Sequence, residues 1–276
     1  MERGTSSVRL SASVYPFYEA GEGCPASALT TAPAAEVAPL ILAEGLGLEL
    51  WVGEYDYRPF TPEAVEGLVP ICRRADPLTI HTRVEDWRPA ALEAEIALAV
   101  RLGAEVLVVH GGTLGLDRSP PPWAEVAALA ARARDSGTIL ALENGGRVGI
   151  APLRRALEVF GDDPRSSGLG VCLDAGHAHR SRRLDGLGPA DYVAELGPAI
   201  VEVHVHDNRG EEDLHLVPGR GTIDWPPLLK ALRTLGPRTV FCIEVKCAST
   251  PIETLRAARD FLRPALAGRA IARPNH

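Results

Sequence analysis

Short apolar runs alternate with longer stretches in which Ala, Leu, Glu and Arg recur at helical spacing, and the alternation continues from one end of the chain to the other. The runs at 8–15, 46–52, 78–81, 106–110, 138–143, 169–174, 200–206 and 239–244 read as strands, and 34–44, 62–74, 89–101, 122–135, 151–160, 190–196, 225–235 and 251–262 read as helices. Pro62, Pro89, Pro122 and Pro251 stand in the first turns, where a missing N–H costs nothing. Gly45, Gly103, Gly137, Gly161 and Gly236 stand just past helix ends. Eight strand–helix pairs in ~250 residues predict an α/β fold, a single (β/α)8 TIM barrel spanning 1–276. A doubly wound sheet is the rival, but no G-x-G-x-x-G follows the first strand. A Gly/Pro/Ser-rich loop insertion at 19–31 and a flexible tail at 267–276 complete the outline.

Composition narrows this picture. With 276 residues, 46% of them hydrophobic, the chain can bury a large core. No apolar run reaches the ~18 residues of a membrane span. Met1-Glu2-Arg3-Gly4 lacks the profile of a signal peptide, so a cytoplasmic location is expected. The five cysteines are odd in number and show no C-x-x-C spacing, which argues against disulfides and a thiolate zinc site. A net charge of −7 and a pI near 5.7 lack the basic footprint of a nucleic-acid binder.

Candidate chemistry concentrates in 201–225, V-E-V-H-V-H-D-N-R-G-E-E-D-L-H-L-V-P-G-R-G-T-I-D-W. Period 2 puts His204 and His206 on one strand face and Val201, Val203 and Val205 on the other. Asp213-x-His215 follows on a segment expected to be extended, and Gly219-Arg220-Gly221 is a turn that could also cradle an anion. Imidazole with carboxylate suits Zn, Mn, Fe or Ni, whereas carboxylate alone favours Mg or Ca. Other strand ends agree: His81, His110, Glu143-Asn144, Asp174-Ala175-Gly176-His177 and Glu244. Of eight histidines only His276 falls elsewhere, and barrel enzymes carry catalysis at the C-terminal ends of their strands. Glu143, Asp174 and Glu244 each close an apolar run, where an unpaired charge is costly. A cation would compensate all three; an arginine is the structural alternative for any one of them. The basic cluster His179-Arg180-Ser181-Arg182-Arg183 is expected on a loop, gripping a phosphate or merely solvated.

As a set, E-N-G-G, C-L-D-A-G-H, the 204–225 segment and I-E-V-K resemble the xylose-isomerase-like barrel superfamily, which includes sugar and sugar-phosphate isomerases and epimerases and the endonuclease IV type of abasic-site nuclease. The resemblance runs from about the second strand to the last helix. It implies a divalent ion (Mn, Mg, Co or Zn) held by Glu143, Asp174, His204 and Glu244. In its epimerase branch it implies Glu143 and Glu244 as an acid/base pair, with the ion polarising a carbonyl and stabilising an enediolate. His177, His206 and Arg209 become substrate-contact candidates, with His206 at the rim or behind the ligands. The implied partner is a sugar or sugar phosphate, and barrels of this group often form homo-oligomers.

The nuclease branch implies further zinc ions, with His81 and His110 at one additional site and His177, Asp213 and His215 at another. This keeps a multi-zinc phosphodiesterase as the alternative. Against it, H-P-G on the fourth strand is His110-Gly111-Gly112 here, D-T-C-H is Asp174-Ala175-Gly176-His177, and the loop after strand 7 is shorter and acidic. The isomerase reading has its own departure, Arg147-Val148-Gly149 where 3-epimerases carry an acid.

Overall fold

All eight apolar runs form strands: β1 Leu10–Ser13, β2 Gly47–Trp51, β3 Leu78–His81, β4 Val106–Val109, β5 Ile139–Glu143, β6 Leu169–Asp174, β7 Ile200–Val205 and β8 Val240–Ile243. The computed structural model describes residues 8–56, 58–145 and 148–268. Met1-Glu2-Arg3-Gly4, Gly146, Arg147 and the tail from 269, with His276, lie outside the described residues. Every strand pairs parallel with the next and β8 pairs with β1, closing a barrel. The first strand is shorter than expected because the chain turns into a single helical turn, Tyr15–Tyr18.

The outer ring comprises α1 Ala34–Ala43, α2 Pro62–Cys72, α3 Pro89–Leu102, α4 Trp123–Asp135, α5 Ala151–Phe160, α6 Ala175–Asp185, α7 Pro189–Leu196, α8 Trp225–Leu232 and α9 Pro251–Leu266. Alternation along the strands sends Leu48, Leu50, Leu173, Val203, Val205 and Ile243 into the layer beneath these helices, which forms the main core. The α6 helix corrects the sequence reading, because His179-Arg180-Ser181-Arg182-Arg183 is helical rather than a loop. It buries only Ala175, Gly176, Ala178 and Ser181, so it has no apolar stripe to announce it.

The barrel interior is unusual for this architecture. Bulky branched side chains normally fill it, yet here Val106, Val108, Ala141 and Cys172 form a small apolar cluster. Ser11, Ser13, Glu49, Thr79, Glu202 and His204 are all fully buried beside them. Val201 packs on that interior cluster and does not share the outer face with Val203 and Val205. The register explains this, since Val171 pairs with Ile200 and Cys172 with Glu202, leaving Val201 as an extra residue.

Candidate functional site

Strand ends and the loops that follow them bring Glu143, Asp174, His204 and Glu244 together, with one ligand-type atom of each within 4.8 Å of the others. His204 Nδ1 lies 3.3 Å from Glu143, 3.4 Å from Glu244 and 3.9 Å from Asp174. None of the four residues is more than 6% exposed. Among the described residues their ion pairs are with imidazoles, so the arginine alternative finds no support.

Burial alone would raise the Glu143 carboxyl, but hydrogen bonds from His110, His204 and His81 hold it well below the usual carboxylate range. Glu244 moves the other way: burial raises it well above that range, and the carboxylates of Glu49, Glu143 and Asp174 add to the effect.

Further groups of ligand-type side chains adjoin this centre, among them Glu49, Glu202, His204 and Cys242 in the barrel interior and two that gather the remaining sequence-predicted residues. Glu143 Oε2 is 3.4 Å from His81 Nε2 and 3.2 Å from His110 Nε2, so Glu143 stands between them and His204. On the other side Asp213 Oδ2 is 3.0 Å from His177 Nε2 and 3.4 Å from His215 Nε2. Burial alone would lower His177, but Asp174, Asp213 and Glu143 outweigh it and raise its pKa to about 10. Burial and neighbouring His206 take His215 down to about 4, against the pull of Asp213.

Local structure aims these rings. Asp174 caps the N-terminus of α6, its Oδ1 accepting the His177 backbone N–H at 2.6 Å. His81 Nδ1 meets the Thr82 carbonyl at 2.7 Å, His177 Nδ1 that of Asn144 at 3.0 Å, and His215 Nδ1 that of Glu244 at 2.8 Å. A ring nitrogen beside a carbonyl must be a protonated one, so the opposite nitrogen, which donates to the carboxylates in the metal-free protein, is the one whose lone pair a cation would take on displacing that proton. Buried acids without a Lys or Arg partner, surrounded by such imidazoles, are a donor set that fits a divalent cation.

The extended reading of Asp213-x-His215 does not hold. His215 has φ 47, the left-handed region, at a backbone cost on the order of 1–3 kcal/mol. This places its ring 3.9 Å from that of His206, stacked at 16°, and edge-on to Tyr15.

His206 is fully buried, not at the rim, with Nε2 at 3.0 and 3.1 Å from the two oxygens of Asp174. Its ring occupies the space over Gly176, where an added Cβ would fall 2.0 Å from Cε1. Arg209 is not brought to the cluster; its guanidinium is exposed and held by Glu22. The turn at Gly219-Arg220-Gly221 already serves an internal anion. The Gly219 and Ile223 N–H groups and Trp225 Nε1 donate to the buried Asp207 carboxylate, and a Cβ at Gly221 would strike it at 2.2 Å. Arg180 pairs with Asp213 at 3.2 Å and Arg183 with Glu211 at 2.8 Å, so the basic cluster is divided.

A cavity of about 670 Å³ opens beside Glu143, His110 and His177, with Leu116, Trp123, Leu142, Val148, Pro152 and Leu153 in its walls. A larger one, about 900 Å³, lies among Glu105, Ile139 and Ile200 at the opposite strand ends and holds none of these ligand-type residues. Sequence reading missed Glu49, whose carboxylate lies 3.1 Å from His204 Nε2. The signal was available, because Glu49 sits inside the apolar run G-L-E-L-W.

Comparison with known proteins places this geometry in context. The D-tagatose 3-epimerase-like protein superimposes with a TM-score of 0.70 at 23% identity, covering 94% of this chain and 97% of that one. The TTHB071 protein from Thermus thermophilus, from a crystal soaked with ZnCl2, gives 0.63 at 25% identity over 96% and 100%. An AP endonuclease, family 2, from Brucella melitensis gives 0.63 at 15% over 90% and 96%. The uncharacterized protein MJ1311 of Methanocaldococcus jannaschii is 30% identical over 204 residues, 68% of this chain and 66% of its own length. The family described as xylose isomerase-like TIM barrel matches residues 46–265, which takes in seven of the eight strands and all the clustered acids and imidazoles. The closed parallel barrel and this match agree, and the chain belongs to the xylose isomerase-like TIM barrel family.

Proposed function

We propose that this protein is a divalent-metal-dependent isomerase or epimerase acting on a sugar, a sugar phosphate or a related small polyhydroxy carbonyl compound. The observation that carries the reading is the pair Glu143 and Glu244, both within 3.4 Å of one nitrogen of a buried imidazole, with Glu143 lining a cavity of small-molecule size. Glu143, Asp174, His204 and Glu244 would hold the ion. When bound it would supply Lewis-acid polarisation of the substrate carbonyl.

The remaining work falls to the chain. Glu143 lines the cavity and takes the proton from the carbon next to the carbonyl, and Glu244, on the His215 side, returns one on the opposite face. His177, also in the cavity wall, holds a substrate oxygen, while Leu142, Leu153 and Trp123 keep water away.

A second reading, a multi-zinc phosphodiesterase, is favoured by the two-sided setting of Glu143 between His204 and the pair His81 and His110, together with the His177, Asp213 and His215 group. Two observations count against it. His206 fills the space that a side chain at position 176 would need, so the nuclease pattern at that position is incompatible with this packing. Two arginines of α6 are paired with acids of the neighbouring loop, Arg180 with Asp213 and Arg183 with Glu211, which lowers the positive charge this face offers a phosphate backbone.

Elemental analysis of untagged protein, paired with a ketose panel, separates the two readings. One ion per chain, with turnover that falls ~10²–10⁴-fold in Glu143→Gln and Glu244→Gln, supports the isomerase. Two or three zinc ions with cleavage of abasic-site DNA overturns it.

A further inference from the structure

We propose that Glu49 is the positioning residue that aims His204 at the central cation, an inference that rests on the metal reading above and goes beyond the four ligands. Three of the imidazoles in the cluster direct their outer nitrogen to a backbone carbonyl: His81 to Thr82, His177 to Asn144 and His215 to Glu244. His204, on the barrel floor, differs from these three, as does His110, whose outer nitrogen faces the exposed Glu85. His204 Nδ1 faces Glu143, Asp174 and Glu244, and the ring's other nitrogen, Nε2, meets the Glu49 carboxylate at 3.1 Å.

A ligand nitrogen must offer a lone pair, so the ring proton has to sit on Nε2, and Glu49 is the group that receives it. Other groups around this carboxylate are the Cys242 thiol and Glu202, which with Glu49 and His204 also form a set of clustered ligand-type side chains. Glu49 is fully buried, its Oε1 has no hydrogen-bonding partner among the described residues, and the Thr79 hydroxyl is 3.5 Å from Oε2 while lying closer, at 3.0 Å, to Glu202. A buried carboxylate so poorly served is costly. The imidazole it orients is the one member of the central set that reaches all three acids.

Glu202 supplies an internal control. It is equally buried on the same barrel interior and shares Thr79, but its hydrogen bond goes to Thr79 and not to His204.

The test is chelator competition with Co²⁺ and Zn²⁺ on the full chain, following the Co²⁺ visible spectrum and thermal unfolding of the metal-free protein. In Glu49→Leu the central-site affinity falls ~10–100-fold and the Co²⁺ spectrum changes, the size expected for loss of a carboxylate behind a histidine ligand. Glu49→Gln, whose amide oxygen can still accept the Nε2 proton, recovers most of the affinity. Glu202→Leu leaves it within about twofold by the same reasoning, since no ring proton is lost. The proposal is overturned if Glu49→Leu binds as tightly as wild type, if Glu202→Leu does equal harm, or if Glu49→Gln is no better than Glu49→Leu. Should Glu49→Leu not fold, the contrast between Glu49→Gln and Glu49→Asp decides the matter, since a shortened carboxylate cannot reach the ring and weakens binding more than the amide does. Wild type that takes up no ion at all defeats the metal reading itself, an outcome distinct from every one of these.

Discussion

The central cluster and the outer one use the same chemistry on different supports. Glu143 and Asp174 end strands, His204 lies within one, and Glu244 directly follows one, all at 0–6% exposure. His177, Asp213 and His215 stand on the first turn of α6 and on the loop after β7, and Asp213 is only partly buried. Strands of a closed barrel cannot shift singly, so the inner geometry is fixed by the whole sheet. The outer geometry depends on two local devices, the Asp174 cap and the Asp207 carboxylate that ties the loop back at Gly219, Ile223 and Trp225. Rigidity thus comes from topology in one place and from hydrogen-bonded fastenings in the other.

The sharpest way to break this contrast is to delete one ligand from each side. His204→Ala should abolish central binding, with affinity down by more than about 100-fold, a larger loss than a supporting residue gives, and should remove the thermal stabilisation that added metal provides. Asp213→Asn should weaken the outer group most; the two sets share no side chain but touch where His177 meets Glu143 and Asp174 and His215 meets Glu244, so central affinity should fall by no more than about tenfold. Equal loss at both sites in either variant, read by competition titration, would merge the clusters into one.

The pH response sharpens the contrast further. The His177 pKa is raised from 6.5 to about 10, so the stability its proton contributes to the metal-free protein is fully present below about 6.5 and is lost as pH rises through about 10. A cation must displace that proton. Outer-cluster affinity should therefore climb about tenfold per pH unit across this window, with roughly one proton released per ion. His215, at about 4, is already neutral there and adds no slope. Calorimetric titration in buffers of different ionisation enthalpy counts the proton, and a flat profile would contradict the assignment.

Gly176→Ala should have the smallest effect. Its methyl meets the His206 ring, so the ring or α6 must shift at a cost of ~1–3 kcal/mol in unfolding free energy. Pairing it with His206→Ala should restore most of that loss.

Much of the fold was legible in the sequence because each strand is an apolar run bounded by Gly, Pro or a charge. β3 and β6 end where the runs end, at His81 and Asp174. Of the site, His81, His110, Glu143, Asp174, His177, His204 and Glu244 were visible as ligand types in strands or just past their ends, and Asp213 and His215 as the D-x-H that follows β7; the structure gathers them. What escaped had physical reasons. The α6 helix is polar almost all round and packs through small residues. The left-handed turn at His215 goes with ring stacking on His206, a contact no local rule supplies. Glu49 lies in the middle of a strand rather than at its end, so attention to strand ends passed over it. The bulge at Val201 left no mark in V-E-V-H-V-H, whose alternation is unbroken.

The polar floor of the barrel has a consequence for proton traffic. From Glu143 a ladder of hydrogen-bonding groups descends through His204 to Glu49, Thr79 and Glu202. Among the described residues the far oxygen of Glu202 has no hydrogen-bonding partner, and a side branch runs from Glu49 through the Cys242 thiol to Ser11. Val106, Val108, Ala141 and Cys172 line the interior alongside. A proton taken up at the mouth is therefore shared with the floor, and the charge state of Glu143 is tied to that of carboxylates well below the cavity.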